Sequence, residues 1–207
     1  MPVGAYSFKI LAIRIETVKK RLFIGLDICD EARNAAAVLI DELTERSDAV
    51  SAKWERPEKL HITLKFLGSV EERLVGSLTR SLREIAYTVR RFPFEISGTG
   101  AFPSVKNPRV LWLGIIEQTR TLNLLAERID AACDSLGFER ETRPFKPHLT
   151  IARLRQPLSG RELASAHSAK KFGPIQCFCS ELVLFESHLG RGGSVYTKLA
   201  TVEFKNP

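Results

Sequence analysis

Two short stretches of this chain, 87 residues apart, repeat one another and dictate its architecture. Lys59-Leu-His-Ile-Thr-Leu-Lys-Phe-Leu67 and Lys146-Pro-His-Leu-Thr-Ile-Ala-Arg-Leu154 share the lysine, the histidine, the threonine and the last leucine, with Ile and Leu exchanged between them. Each alternates apolar and polar residues as a half-buried strand does, and each follows a basic loop that contains proline. Their separation is about half of residues 21–207. Such a chain is a duplication with two similar lobes, each contributing one His-x-Thr strand.

On a regular strand, side chains two apart share a face. His61 and Thr63 therefore point one way, with Ile62, Leu64 and Phe66 pointing the other; His148 and Thr150 do the same over Leu149 and Ile151. Packed face to face, the two lobes would enclose a groove holding two imidazoles and two hydroxyls. Two groups with ordinary pKa values near 6.5 supply one base and one acid at neutral pH. In-line displacement at phosphorus needs that pair on opposite sides, one taking the proton of incoming water and one protonating the departing ribose oxygen. The threonine hydroxyls can donate to the non-bridging oxygens, where charge develops. A lone strand histidine is usually structural, but two in matching settings, in a chain with four histidines, point to function. His167, in a polar helix, and His188, beside a glycine-rich turn, read as surface residues. No carboxylate cluster offers to hold a metal, since Asp27 and Asp30 stand apart near the first strand.

The remaining pattern mixes strands and helices. Residues 21–29 read as a buried strand, followed by a helix with Asp30 as its N-cap. The first His-x-Thr strand stops at Gly68, and Ser69-Val-Glu-Glu72 fits a capping box that opens a helix to about residue 90. Strands follow at about 92–101 and 109–116, and then a helix from about 120 to 136 that ends before Gly137. After the second His-x-Thr strand, Ser159-Gly-Arg-Glu162 repeats the capping-box pattern. Two last strands, about 174–187 and 194–204, flank the Gly-Arg-Gly-Gly turn at 190–193.

Of the 207 residues, 31 are Lys or Arg and 24 Asp or Glu, a net charge of +7. An excess of this sign favours an anionic partner such as RNA, DNA or a phosphorylated metabolite. It divides into +3 on residues 1–20, read as a basic extension, and +4 on the body from Arg21 to Pro207. No apolar run suits a secretory signal or a membrane span, so a cytoplasmic protein is expected. In that setting disulfides are not expected among Cys29, Cys133, Cys177 and Cys179. Cys177 and Cys179, inside an apolar strand, read as small buried hydrophobes, and neither they nor any Gly-x-Ser-x-Gly elbow support a Cys or Ser hydrolase.

His61-Ile-Thr63-Leu64 and His148-Leu-Thr150-Ile151 resemble the paired HxTx motifs of the two-histidine phosphoesterase superfamily, and within it the LigT-like RNA 2′,3′-cyclic phosphodiesterases. The flanks are similar too, at 21–28, 54–68, 101–115, 143–154 and 186–202. The resemblance implies a bilobal, pseudo-two-fold α+β fold, with two antiparallel sheets flanked by helices around a central active-site groove. It implies opening of a terminal 2′,3′-cyclic phosphate on RNA ends or nucleotides to a 2′-phosphate, without metal or other cofactor, and in some members reversible 2′-5′ joining of RNA ends. His61 would then be the proton donor, His148 the proton acceptor, and Thr63, Thr150 and Arg153 would hold the phosphate, in a chain expected to act as a monomer. Arg153 stands five residues beyond His148 and faces the other way on a regular strand, so a bulge or the strand end must turn it inward. Arg143 and Lys146 flank the second motif, placed to steer an RNA backbone, while Phe23 and Trp54 read as core aromatics rather than stacking platforms. The contrasting reading is a module that binds RNA ends without turnover.

Overall fold

The computed structural model describes residues 18–45, 52–190 and 193–206. Residues 1–17 of the basic extension, and Arg191 and Gly192 of the glycine-rich turn, lie outside them. In chain order the described residues form β1 (Lys19–Leu26), α1 (Asp30–Thr44), β2 (Ala52–Trp54), β3 (Ile62–Glu71), α2 (Val75–Ala86), β4 (Phe92–Ser104), β5 (Asn107–Ile116), α3 (Thr121–Asp134), β6 (His148–Leu154), α4 (Arg161–Ser168), β7 (Ile175–Cys179), β8 (Glu181–Gly190) and β9 (Gly193–Glu203).

All nine strands join one antiparallel sheet in the order β7-β4-β5-β6-β3-β1-β8-β9, with β2 paired to β6. The order has the same pattern in both directions from the middle: a His-x-Thr strand at the inner edge of each half, then three strands outward. The two halves meet at one residue pair, Ile62 with Leu149. These residues occupy equivalent places in the two repeated segments, so the pseudo-two-fold passes between them. The lobes therefore join edge to edge into a single curved sheet rather than pressing two sheets face to face.

The helices cover one side of this sheet. Apolar residues recur every three or four positions on α1 (Ala32, Ala36, Leu39, Ile40, Leu43) and α2 (Leu78, Leu82, Ile85, Ala86), the spacing that gathers them on one face. That face meets Leu22, Ile24 and Leu26 of β1, Ile62 and Leu64 of β3, and Leu149 and Ile151 of β6 in one core. A small second cluster of Phe23, Val183 and Phe185 lies apart from it.

Several local expectations are corrected. The first His-x-Thr strand does not stop at Gly68: that residue takes φ of +69° and β3 continues to Glu71, so Ser69 is a strand residue and caps nothing. Helix α1 is preceded by Cys29 rather than capped by Asp30, and α4 by Gly160, with no side-chain cap at either. The single strand read at 174–187 is two, because β7 pairs with β4 at one end of the sheet and β8 with β1 and β9 near the other. His167 is fully buried, with Nε2 3.0 Å from the Trp112 carbonyl, since α4 turns it onto the sheet. Cys29 and Cys177 form a disulfide that ties the start of α1 to β7; the fold brings together two cysteines that sequence distance kept apart. Cys133 and Cys179 are free and buried, and burial pushes their thiols up to about 11 and about 12. Helix α3 ends at Asp134, short of the expected 136, and Gly137, with φ of +90°, closes the turn that follows it, as a glycine beyond a helix C-terminus does.

Candidate active site

The two His-x-Thr strands are adjacent at the centre of the sheet. One step either side of the Ile62–Leu149 pair, antiparallel register sets His61 across from Thr150 and Thr63 across from His148. All four line one pocket with Glu55, Lys59, Phe66, Arg153 and Tyr196.

Both strands carry the same irregularity. Along β3, Thr63 pairs with Gly25 and Lys65 with Ile24, leaving Leu64 unpaired. Along β6, Thr150 pairs with Trp112 and Ala152 with Leu111, leaving Ile151 unpaired. Leu64 and Ile151 each stand three residues after their histidine, so these bulges are copies of one another. A bulge advances the alternation by one residue. Arg153 therefore faces the groove, as the parity argument requires. Its counterpart Phe66 does so too, contrary to the regular-strand expectation that placed it with Ile62 and Leu64; it is 52% exposed. Lys65, thrown to the other side, is buried against Asp130 of α3 at 2.6 Å.

The imidazoles are held alike. Nδ1 of His61 lies 2.7 Å from the carbonyl of Lys59, and Nδ1 of His148 lies 2.7 Å from the carbonyl of Lys146. A carbonyl only accepts, so each Nδ1 carries the hydrogen and each Nε2 is left for proton exchange. Thr63 Oγ1 is 2.9 Å from His61 Nε2, to which it donates when the ring is neutral. Tyr196 meets His61 edge-on with ring centroids 5.3 Å apart, Phe23 approaches it to 4.7 Å, and Phe102 meets His148 edge-on at 5.0 Å. Burial lowers the pKa of both histidines below the ordinary value; the carbonyl bonds oppose it, and the Arg153 charge adds to it.

Arg153 Nε is 3.7 Å from Oε1 of Glu55, which directly follows β2. Phe23 is core, 1% exposed, and Trp54 packs against the main core, as read from the sequence. Arg143 and Lys146 are exposed and line neither groove pocket, and Lys146 serves the site through its carbonyl. His188 is on the surface near Glu186. Glu55, Tyr196 and Phe102 gave no sequence signal. The shared Lys-x-His of the two repeats did mark the carbonyls.

Two imidazoles and two hydroxyls, exchanged across a pseudo-two-fold, define an acid–base site of the two-histidine phosphoesterase class. The LigT like phosphoesterase profile matches the chain twice in tandem, over residues 26–112 and 113–196, one match per repeat. An RNA 2′,3′-cyclic phosphodiesterase of Archaeoglobus fulgidus is 33% identical over 88% of this chain and 99% of its own length. One from Methanothermobacter thermautotrophicus is 34% identical over 88% and 97%. Among solved structures, LigT of E. coli complexed with 3′-AMP superposes with a TM-score of 0.73 at 25% identity, over 90% of this chain and 99% of that one. The chain belongs to the LigT like phosphoesterase family.

Proposed function

We propose that the chain is an RNA 2′,3′-cyclic phosphodiesterase that opens a terminal cyclic phosphate to a 2′-phosphomonoester, with His61 as acid and His148 as base. The observation that carries this reading is the pairing of both His-x-Thr units in one pocket, each ring tethered through Nδ1. The names of the relatives agree with it.

Water attacks phosphorus as His148 Nε2 takes one of its protons. The bond from phosphorus to the ribose 3′-oxygen breaks, its electron pair goes to that oxygen, and His61 supplies the proton from Nε2. Once His61 is protonated it no longer accepts from Thr63, whose hydroxyl then turns with that of Thr150 to the non-bridging oxygens. Arg153 adds a cation where negative charge develops. With a ribose 5′-hydroxyl in place of water, the same two transfers yield a 2′-5′ diester. Phe66, exposed on the groove face, offers its ring to the terminal base. A module that only binds RNA ends has no use for two rings oriented for proton exchange. Incubation with a 2′,3′-cyclic nucleotide in excess chelator tests the reading: it requires turnover, and tight RNA binding with no product would favour the binding module instead.

A further inference from the structure

The pocket around the histidines is small, about 20 Å³, room for a compact group and not for a nucleoside. It opens into a second chamber of about 300 Å³, which shares the walls Glu55, Phe66, Arg153 and Tyr196 and adds Arg21 and Lys53. That volume is at the lower end of the range for ligand pockets. If the cyclic phosphate lies between the imidazoles, its nucleoside occupies this chamber, and whatever continues the chain from the ribose 5′-carbon reaches its far wall.

The backbone puts both cations on that wall. Arg21 is two residues before Phe23 on β1, and the register shift beside them leaves its extra residue, Leu67, on β3, so β1 keeps its own alternation and Arg21 shares the face that Phe23 turns toward His61. Lys53 of β2 is directly paired with Arg153 of β6, and directly opposed residues share a face. Glu55, the carboxylate of the chamber, is taken by Arg153. Arg21 and Lys53 are exposed and make no ion pair with any described residue. Ser187 and Ser194 add hydroxyls to the same wall. Two uncompensated cations with hydroxyls beside them suit a phosphate.

We infer that Arg21 and Lys53 form a subsite for the phosphate on the 5′ side of the terminal nucleotide, so that the chain prefers an RNA end to a free nucleoside cyclic phosphate. This rests on the proposed phosphodiesterase reading. It is tested with adenosine 2′,3′-cyclic phosphate and the same compound bearing a 5′-phosphate, comparing kcat/KM at low and moderate salt. The 5′-phosphate raises kcat/KM about tenfold, the size of one hydrogen bond to a charged group, and the gain shrinks as salt rises. In a variant combining Arg21→Ala and Lys53→Ala the ratio falls to about one, while Arg128→Ala, at an exposed arginine on α3, keeps it. Equal kcat/KM for both compounds in the native protein, or a double variant that keeps the native ratio, overturns the subsite and leaves the phosphodiesterase reading standing. Turnover of neither compound overturns both.

Discussion

His61 and His148 depend on the residue two before each of them, because the carbonyls of Lys59 and Lys146 hold Nδ1 and turn Nε2 to the groove. His61→Ala and His148→Ala should each lower kcat by about 10²- to 10⁴-fold, the usual worth of a positioned proton transfer, with an unchanged circular dichroism spectrum. The depressed histidine values make a pH prediction. In the proposed mechanism His61 must be protonated to act, so the alkaline limb of kcat/KM is expected to have its midpoint below 6.5. A bound phosphate anion favours the charged ring, so the corresponding limb of kcat lies at higher pH. Stability follows the same sign: with folded values below the unfolded one, the unfolded chain binds more protons in acid. The contribution of these histidines is complete above about pH 6.5 and is lost as pH falls through the folded values. At this scale the four motif residues were legible because they are copied. Arg153 was legible as a conflict between motif and parity, whereas Phe66, at the equivalent place in the other repeat, is apolar and so raises no conflict with a core-facing position.

The strands that carry these residues depend on their neighbours. A Cβ at Gly25 of β1 would stand 2.7 Å from the carbonyl oxygen of Ile62 and 3.4 Å from Cδ2 of His61, so the backbone beside the His61 ring would have to move. Gly25→Ala should destabilise the protein by about 1–3 kcal/mol, as overpacking does, and lower kcat as well, measured by thermal melts and turnover. Bulges were the least legible elements. Nothing local distinguishes Leu64 or Ile151 from an ordinary strand residue, and only pairing with β1 and β5 shows the extra residue. The two capping-box patterns misled for a related reason. Ser69 had the right neighbours for a cap, but Gly68 at positive φ lets the strand run on.

Across the whole molecule, the duplication was legible, whereas the way its halves meet was not, since one residue pair at the pseudo-two-fold makes two lobes into one sheet. The Cys29–Cys177 disulfide spans 148 residues and links α1 of one half to β7 of the other, a proximity no local pattern encodes. Reduction, or Cys177→Ser, should cost about 2–5 kcal/mol and appear as a lower Tm that excess thiol reproduces in the native protein. The most direct measurement for the account as a whole is the identity of the product formed from an RNA oligonucleotide ending in a 2′,3′-cyclic phosphate, in excess chelator, read by phosphorus NMR. Acid catalysis by His61 at the 3′-oxygen predicts a 2′-phosphomonoester; a 3′-phosphomonoester, or turnover only after metal is restored, would contradict it.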